Sequence, residues 1–379
     1  MAEYVRQMPS AASDLARRPA ISERFHIDFP LLFLLVLLTL FGLIVLYSAS
    51  GQSVASVWRQ SKFFVIAYGA MFAAAQISVQ RYQRWSPFIF AGGLALLAGV
   101  LLFGVGAKGA QRWLSLGGFR FQPSELMKLA MPLMLAWYLA SKVLPPHPGH
   151  ILVSLLLVLV PAGMIIKQPD LGTALLVSGS GLIVLFMAGM RWRMIFGAGL
   201  LAVLSAWPAW LYLLHDYQRQ RILTLLNPER DKLGSGWNII QSKTAIGSGG
   251  WSGKGWLNGT QSQLDFLPES HTDFIIAVLA EEFGLRGVIL LLGLYLLIIA
   301  RGFWIGVHAQ NSFARLLASG VTFTFFIYVF VNMGMVSGLL PVVGVPLPLV
   351  SAGGTSIVTL MAGFGILMAI STERRFVIQ

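Results

Sequence analysis

Apolar residues in this chain fall in long unbroken blocks rather than at the spacing of an amphipathic helix or a half-buried strand. A run of about 18 or more apolar residues is typical of a membrane span, because about 20 helical residues cross the hydrocarbon layer of a bilayer. Ten blocks qualify, and the pattern predicts an all-α integral membrane protein with about ten transmembrane helices. The predicted spans are residues 30–48, 62–79, 87–105, 124–141, 150–166, 171–190, 194–214, 273–299, 313–338 and 354–371.

Two segments depart from this alternation of spans and short loops. Residues 215–272 are polar and form a large loop between spans 7 and 8. Residues 334–356, before span 10, are mostly apolar but contain three prolines and many glycines, and both residue types break helices. Because broken backbone at membrane depth is tolerated only against protein or a cavity, the second segment is predicted to be re-entrant.

The lysines and arginines indicate the orientation of the chain, because basic residues collect in cytoplasmic loops. With the N-terminus inside, the short outer loops hold few of them: Arg59, Lys62 and Lys167. We therefore expect both termini to be cytoplasmic, residues 1–25 to be a tail, and residues 26–375 to form one membrane domain.

Composition excludes several classes of protein. Only 11% of the residues are charged, against roughly a quarter in a soluble domain. The net charge of +12 does not indicate nucleic-acid binding, because the basic residues follow the loops and face anionic lipid. The absence of cysteine excludes disulfides and thiolate chemistry. However, the outer segments 106–123 and 215–272 are also basic, although basic residues usually collect on the cytoplasmic side. Their charge predicts an acidic ligand.

The glycine-rich stretch 247–255 is not a phosphate-binding loop of the nucleotide-hydrolase type. Ser248 stands where the first glycine of that motif is required, and Gly255 follows Lys254 in place of serine or threonine. We interpret the stretch as a turn-rich loop that lies against the membrane.

Asp273 lies where the large loop meets an apolar span, so its carboxylate can be partly desolvated and still reach water. Desolvation raises the pKa of a carboxylate and makes it a better general base near neutral pH. Glu269 and His271 stand in the same short segment. The alternative, which the spacing alone favours, is that Thr272 or Asp273 caps the N-terminus of the span.

Other ionisable residues lie at or inside the spans, where burial of a charge is costly and often marks a functional site. Glu125 and Lys128 are three residues apart at the start of span 4 and can pair on one helix face. Asp170 lies in a tight outer turn, and Glu281 with Glu282 follows Asp273 by about two turns. A structural ion pair or a cap explains each as well as catalysis does, but together they favour a polar cavity that opens outward.

Seven motifs follow one another along the chain. They are KGAQRW at 108–113, FQPSE at 121–125, QPDLGT at 168–173, DYQRQR at 216–221, GTQSQ at 259–263, LPESHTDF at 267–274 and LPVVGVP at 340–346. In these motifs and in its ten spans the chain resembles the SEDS family (shape, elongation, division and sporulation) of peptidoglycan glycosyltransferases. The GTQSQ motif favours the elongation branch over the division branch. Ala352 departs from the family, which commonly has tyrosine at that place.

The resemblance covers about residues 26–375 and implies a function. It implies that the protein polymerises lipid II and undecaprenyl-pyrophosphate-linked glycan into β-1,4 strands during cell elongation. The expected location is the bacterial inner membrane, with the active site facing the periplasm. The expected partners are a class B penicillin-binding protein and the elongation machinery of the cell wall, and no nucleic acid.

The resemblance also implies roles for particular residues. It makes Asp273 catalytic, which reverses the preference for capping, and it makes Trp113, Glu125 and Lys128 functionally sensitive. The expected chemistry is a single displacement with inversion at the anomeric carbon, in which Asp273 is the general base. Basic side chains would hold the leaving pyrophosphate. The full set of expected substrate-binding residues is Arg112, Trp113, Glu125, Lys128, Asp170, Arg219, Arg221, Lys243, Glu269 and His271, with Lys254 as a further candidate for the pyrophosphate.

Three expectations stay open at this point. No cofactor is certain and no residue is assigned to a metal, although Mg²⁺ or Mn²⁺ is a possible aid to pyrophosphate departure. A flippase for a lipid-linked precursor is the main alternative function, because broken segments and intramembrane charges are also typical of transporters. A non-catalytic scaffold for the crosslinking partner is the third hypothesis.

Overall fold

The computed structural model describes residues 25–107, 110–116, 119–213, 216–231, 235–263 and 269–373. All but the last residue of the predicted N-terminal tail lies outside these residues. So do residues 108–109 and 267–268, which belong to the sequence motifs.

A helix occupies each of the ten predicted spans. In chain order the helices are α1 (Phe29–Ala49), α2 (Val54–Ala75), α3 (Val79–Phe103), α4 (Pro123–Ala140), α5 (Pro148–Lys167), α6 (Leu171–Met187), α7 (Trp192–Pro208), α8 (Asp216–Leu226), α9 (Ser235–Gly249), α10 (Thr260–Gln263), α11 (Ile275–Val307), α12 (Ser312–Val336) and α13 (Thr355–Ser371). Of the described helices, α1, α3, α5, α11 and α12 are long and apolar enough to cross a membrane by length and composition, and α6 and α13 are shorter apolar helices. The prediction of an all-α multi-pass membrane fold is confirmed.

The large loop is more ordered than its sequence suggested. It contains α8, α9, α10 and a 3-10 turn at Pro228–Asp231. The glycine-rich stretch is the end of α9 and the turns that follow it, and these pack against α11 rather than simply lying on a membrane. The sequence did not predict these helices, because glycine and polar residues give little hydrophobic periodicity.

A small antiparallel sheet follows α3. Its strands are β1 (Val105–Ala107), β2 (Ala110–Leu116) and β3 (Phe119–Phe121), in the order β1-β2-β3. Trp113 pairs with Val105 in the first ladder, and Leu114 pairs with Phe121 in the second. The sequence predicted only a loop here, because two of the strands are three residues long.

The centre of the bundle is α12, whose most apolar stretch is 67% buried, the highest value among the candidate spans of the described chain. It packs against α4, α6, α11 and α13. Small residues allow the close contacts, as is common between helices in membranes. A Cβ atom on Gly302 would lie 2.3 Å from the Thr322 hydroxyl, and one on Gly320 would lie 2.8 Å from Pro132.

Residues 337–354 enter the bundle without forming a helix. Buried side chains from three helices satisfy their carbonyls, as the re-entrant prediction requires. The bonds are Asn332 Nδ2 to Val345 O at 2.7 Å, Tyr295 OH to Pro348 O at 2.7 Å and Gln60 Nε2 to Ser351 O at 3.3 Å. A Cβ on Gly42 of α1 would lie 2.8 Å from Leu349 O, so glycine lets this segment pass close to α1.

Candidate active site

One polar cavity of about 890 Å³ lies between β2, α4, the start of α6, the segment before α11 and the re-entrant segment. It brings together most of the residues that the sequence singled out. The expected residues in its wall are Arg112, Trp113, Glu125, Lys128, Asp170, Arg221, Glu269 and Asp273. Ala352, the departure from the family pattern, also lies in the wall.

Asp273 is half-buried, and the backbone around it is hydrogen-bonded to neighbouring elements. Its carbonyl accepts a hydrogen bond from Asn332 Nδ2 at 2.9 Å. The carbonyl of Thr272 accepts a hydrogen bond from the Ser351 hydroxyl. The Asp273 carboxylate lies beside Gly344, where a Cβ atom would be 3.5 Å from Oδ2. These contacts hold the Asp273 backbone against the re-entrant segment at the edge of the cavity.

The start of α11 shows whether Thr272 or Asp273 caps this helix. The N-cap residue is Phe274, and no side-chain cap hydrogen bond is made there. The Thr272 hydroxyl instead donates to the Glu269 carboxylate at 2.9 Å. Capping of this span therefore does not account for the carboxylate at position 273.

Glu125 and Lys128 pair at 2.6 Å on one face of α4, as their spacing predicted. Both are buried, and both also contact Tyr328 of α12, whose hydroxyl accepts a hydrogen bond from Lys128 Nζ and donates to Glu125 Oε2 at 3.3 Å. The Lys128 ammonium lies 4.4 Å from the centre of the Tyr328 ring. A buried ion pair needs such additional partners, because desolvation offsets much of its attraction.

Asp170 is both a helix cap and part of the cavity wall. It accepts from the Thr173 backbone N–H at 3.2 Å, which caps α6, and from Gln122 Nε2 at 3.0 Å. Arg112 Nε lies 3.8 Å from its carboxylate, and Arg112 Nη2 donates to the carbonyl of Pro169. The capping alternative therefore holds for Asp170, and the carboxylate also places Arg112 at the cavity.

Three of the expected substrate-binding residues, though described, do not line the cavity. Arg219 donates to Leu211 O at 3.1 Å, and Lys243 packs on Gly338. His271 contributes its carbonyl, which accepts from Ala352 N at 2.9 Å. Lys254 also lies elsewhere, in an ion pair with Glu281.

Tyr328 and Asn332 were not singled out from the sequence, and Gln122 appeared only as a member of the FQPSE motif. Tyr328 and Asn332 are four residues apart on α12 and so share a helix face. A polar pair at this spacing within an apolar span is a signal that could have identified them. Within the described part of the chain, no group of three or more His, Cys, Asp or Glu residues is arranged to hold a metal ion.

Known proteins resemble the chain over almost its whole length. The cell cycle protein family FTSW_RODA_SPOVE matches residues 29–376. The peptidoglycan glycosyltransferase MrdB of Escherichia coli K12 is 50% identical over 364 residues, which cover 96% of this chain and 98% of MrdB. A probable peptidoglycan glycosyltransferase FtsW of Trichlorobacter lovleyi is 39% identical over 360 residues, which cover 91% and 93%.

Solved structures share the fold. A chain of a peptidoglycan synthase complex that coordinates polymerisation and crosslinking superposes with a TM-score of 0.82 at 33% identity, covering 92% of this chain and 98% of its own. The rod shape determining protein RodA of Thermus thermophilus superposes with a TM-score of 0.69 at 31% identity, covering 92% and 97%.

Proposed function

The chain belongs to the FTSW_RODA_SPOVE family and is a peptidoglycan glycosyltransferase, and from this premise we propose that it polymerises lipid II at Asp273. The observation that carries the proposal is the shared cavity, whose wall holds this carboxylate together with the cations Arg112, Lys128 and Arg221. A lipid-linked sugar pyrophosphate requires both: a base for the attacking hydroxyl and positive charge for the leaving group.

The proposed reaction is a single displacement. Asp273 takes the proton from the 4-hydroxyl of the acceptor sugar as that oxygen attacks the anomeric carbon of the growing chain. The bond from the anomeric carbon to the pyrophosphate oxygen breaks, and its electron pair leaves with undecaprenyl pyrophosphate. An α-linked donor becomes a β-1,4 link, so the configuration inverts and no covalent sugar–enzyme intermediate forms.

Cationic side chains would stabilise the departing pyrophosphate. Arg112 and Arg221 present planar guanidinium groups, which bind phosphate oxygens through two hydrogen bonds. Lys128 is a point charge in the same wall. Trp113, Glu125, Asp170 and Glu269 complete the proposed substrate-binding set within the cavity.

We also propose that a divalent cation, Mg²⁺ or Mn²⁺, assists pyrophosphate departure. Mg²⁺ usually binds through one or two carboxylates and the phosphates of the substrate. Asp170 and Glu269 offer such carboxylates in the cavity wall, beside the proposed base Asp273. Chelation with EDTA is expected to lower the rate of polymerisation at saturating lipid II, and an unchanged rate would exclude this part of the proposal.

The family also supports a cellular setting for the reaction. The protein is a multi-pass membrane protein of the inner membrane. We propose that both termini are cytoplasmic, that the cavity faces the periplasm, and that the protein acts in cell elongation with a class B penicillin-binding protein. The similarity to a chain of a synthase complex that couples polymerisation to crosslinking supports such a partner. The flippase alternative is not favoured, because the curated relatives are glycosyltransferases.

The first prediction concerns Asp273. Purified Asp273→Asn is expected to polymerise labelled lipid II about 10²- to 10⁴-fold more slowly than the unmodified protein, the usual contribution of a general base. Asp28→Asn makes the same chemical change outside the cavity and serves as the control. Wild-type rates for Asp273→Asn at every pH would exclude a general base at this position. The anomeric configuration of the product, read by NMR, tests inversion separately.

A further inference from the structure

The helix that follows Asp273 is broken. Gly284 in α11 has a φ of 65° and a ψ of −161°, which is not helical and is readily adopted only by glycine. The break separates a first segment, residues 275–283, from the remainder of α11. Only Phe274 stands between Asp273 and the first segment, so a change in the direction of that segment would move the carboxylate.

The glycine-rich turn at residues 250–255 fills the break. Main-chain groups of the helix that lose their helical partners bond to the turn instead. The bonds are Lys254 N to Glu281 O at 3.0 Å, Gly255 N to Glu282 O at 3.0 Å, Leu285 N to Gly250 O at 2.9 Å and Arg286 N to Trp251 O at 3.3 Å. The turn therefore replaces the continuous helical hydrogen bonding that would otherwise orient the first segment.

Two glycines permit this contact. A Cβ atom on Gly253 would lie 2.1 Å from the carbonyl oxygen of Glu282, and one on Gly284 would lie 2.3 Å from Gly253 N. Both residues also have positive φ values. The glycine-rich stretch is thus explained by the approach of one backbone to another.

Glu281 is the charged anchor of the turn. Its side chain is fully buried, and its carboxylate forms an ion pair with Lys254 Nζ at 2.7 Å. The same carboxylate accepts from Thr260 N at 2.8 Å, from the Thr260 hydroxyl at 3.0 Å and from Gln261 N at 3.0 Å, at the start of α10. A buried carboxylate is costly unless it is paired and hydrogen-bonded, and here every one of these partners comes from the turn or from α10.

We propose that Glu281 is a positioning residue for Asp273, a role that rests on the function proposed above. Glu281 holds the turn in the break of α11, the turn fixes the direction of residues 275–283, and that segment aims the carboxylate. Eight residues separate Glu281 from Asp273, about 12 Å along a helix, so Glu281 acts through the backbone and not by contact.

Kinetics distinguish this role from substrate binding. Glu281→Gln is expected to lower kcat about 10- to 100-fold, because a displacement of about 1 Å in a catalytic group has an effect of that size. KM is expected to stay unchanged, because Arg112, Lys128 and Arg221 lie on other elements. Asp28→Asn, which also removes the charge of a buried paired carboxylate, is the matched control and should keep its kcat per folded molecule.

Lys254→Gln removes the other partner of the same ion pair, and Lys254 is the less buried of the two residues. This variant replaces Glu281→Gln if the latter protein folds poorly. The positioning role again predicts a lower kcat at constant KM. A higher KM at constant kcat would instead place Lys254 at the pyrophosphate and overturn the proposal.

A covalent tether provides a rescue. The chain has no cysteine, so Trp251→Cys with Arg286→Cys adds the only thiols, at two positions joined by a backbone hydrogen bond. In the Glu281→Gln background the oxidised pair is expected to restore most of kcat, and dithiothreitol to remove the gain. Failure of the tether to restore kcat, when the same tether leaves the unmodified protein active, would overturn the proposal. Asp273→Asn is measured in parallel: if that variant keeps full activity, the proposed function itself fails.

Discussion

Lys128 is a cation buried in the cavity wall, and its neighbours explain how the fold tolerates it. Glu125 supplies a carboxylate at 2.6 Å, and Tyr328 supplies a hydroxyl and the face of its ring. The contacts match the charge of the ammonium and hold it in one place. A fixed cation stabilises a developing pyrophosphate better than a mobile one, because it needs no reorganisation during the reaction.

Tyr328→Phe tests this arrangement, because it keeps the ring and removes the hydroxyl. A hydrogen bond to a charged group contributes about 1.5–3 kcal/mol, so kcat/KM for lipid II is expected to fall about 10-fold or more. Tyr138→Phe removes a hydroxyl that contacts His150 at 3.1 Å outside the cavity, and it is the control. Equal kcat/KM values for the two variants would contradict a role for the Tyr328 hydroxyl.

At the residue scale, the sequence was informative wherever a charge stood at the edge of a span. Glu125, Asp170 and Asp273 could be identified because burial of a charge in a membrane is costly and demands a reason. Tyr328 carries no charge, so this argument does not identify it, and its partners on α4 are distant in sequence. Its four-residue spacing from Asn332 on α12 is the one local signal. Arg219 and Lys243 show that a basic residue in an outer loop does not line the cavity by virtue of its position alone.

Among the elements, α12 and the re-entrant segment together hold the backbone of Asp273. The Asn332 amide donates both to Asp273 O at 2.9 Å and to Val345 O at 2.7 Å, so one side chain joins the start of α11 to the re-entrant segment. Neither acceptor belongs to a regular helix, so Asn332 provides hydrogen bonds that secondary structure does not.

Asn332→Leu, a change of similar volume, is expected to leave these two carbonyls without the donor. An unsatisfied buried polar group costs about 1–3 kcal/mol, so the melting temperature in detergent should fall by several degrees, with a lower kcat. Ser337→Ala, which removes a bond from an exposed hydroxyl to Met333 on the same helix, is the control. An Asn332→Leu protein as stable and active as this control would show that the two bonds are dispensable.

Some of these elements could be predicted from the sequence, and others could not. Ten spans and a re-entrant segment follow from unbroken apolar blocks and from proline and glycine in one of them. The sheet β1-β2-β3 and the helices within 215–272 do not, because short strands and polar helices have no long periodic pattern. The fit of the 250–255 turn into α11 depends on contacts between residues about 30 positions apart, which no local pattern reveals.

Across the whole molecule, the cavity lies beside the start of α11, and a structural ion pair lies towards the other end of that helix. Arg301 of α11 binds the Asp28 carboxylate through two bonds, at 3.0 Å and 2.7 Å, and its guanidinium lies 4.2 Å from the Trp304 ring centre. Asp28 also caps α1 by accepting from Leu31 N at 3.0 Å. The pair joins α1 to α11, and neither of its residues lies in the cavity wall, so we expect it to serve stability and not chemistry.

Asp28→Asn isolates that contribution, because asparagine caps a helix as well as aspartate does but leaves the guanidinium without its counter-charge. Breaking a fully buried ion pair costs about 3–5 kcal/mol, and the partial exposure of Arg301 reduces this to roughly 1–2 kcal/mol. The melting temperature in detergent should therefore fall by a few degrees, while kcat for lipid II per folded molecule stays at the wild-type value. A lower kcat in Asp28→Asn would mean that the two ends of α11 are coupled across its break at Gly284, and the separation of stability from catalysis would be wrong.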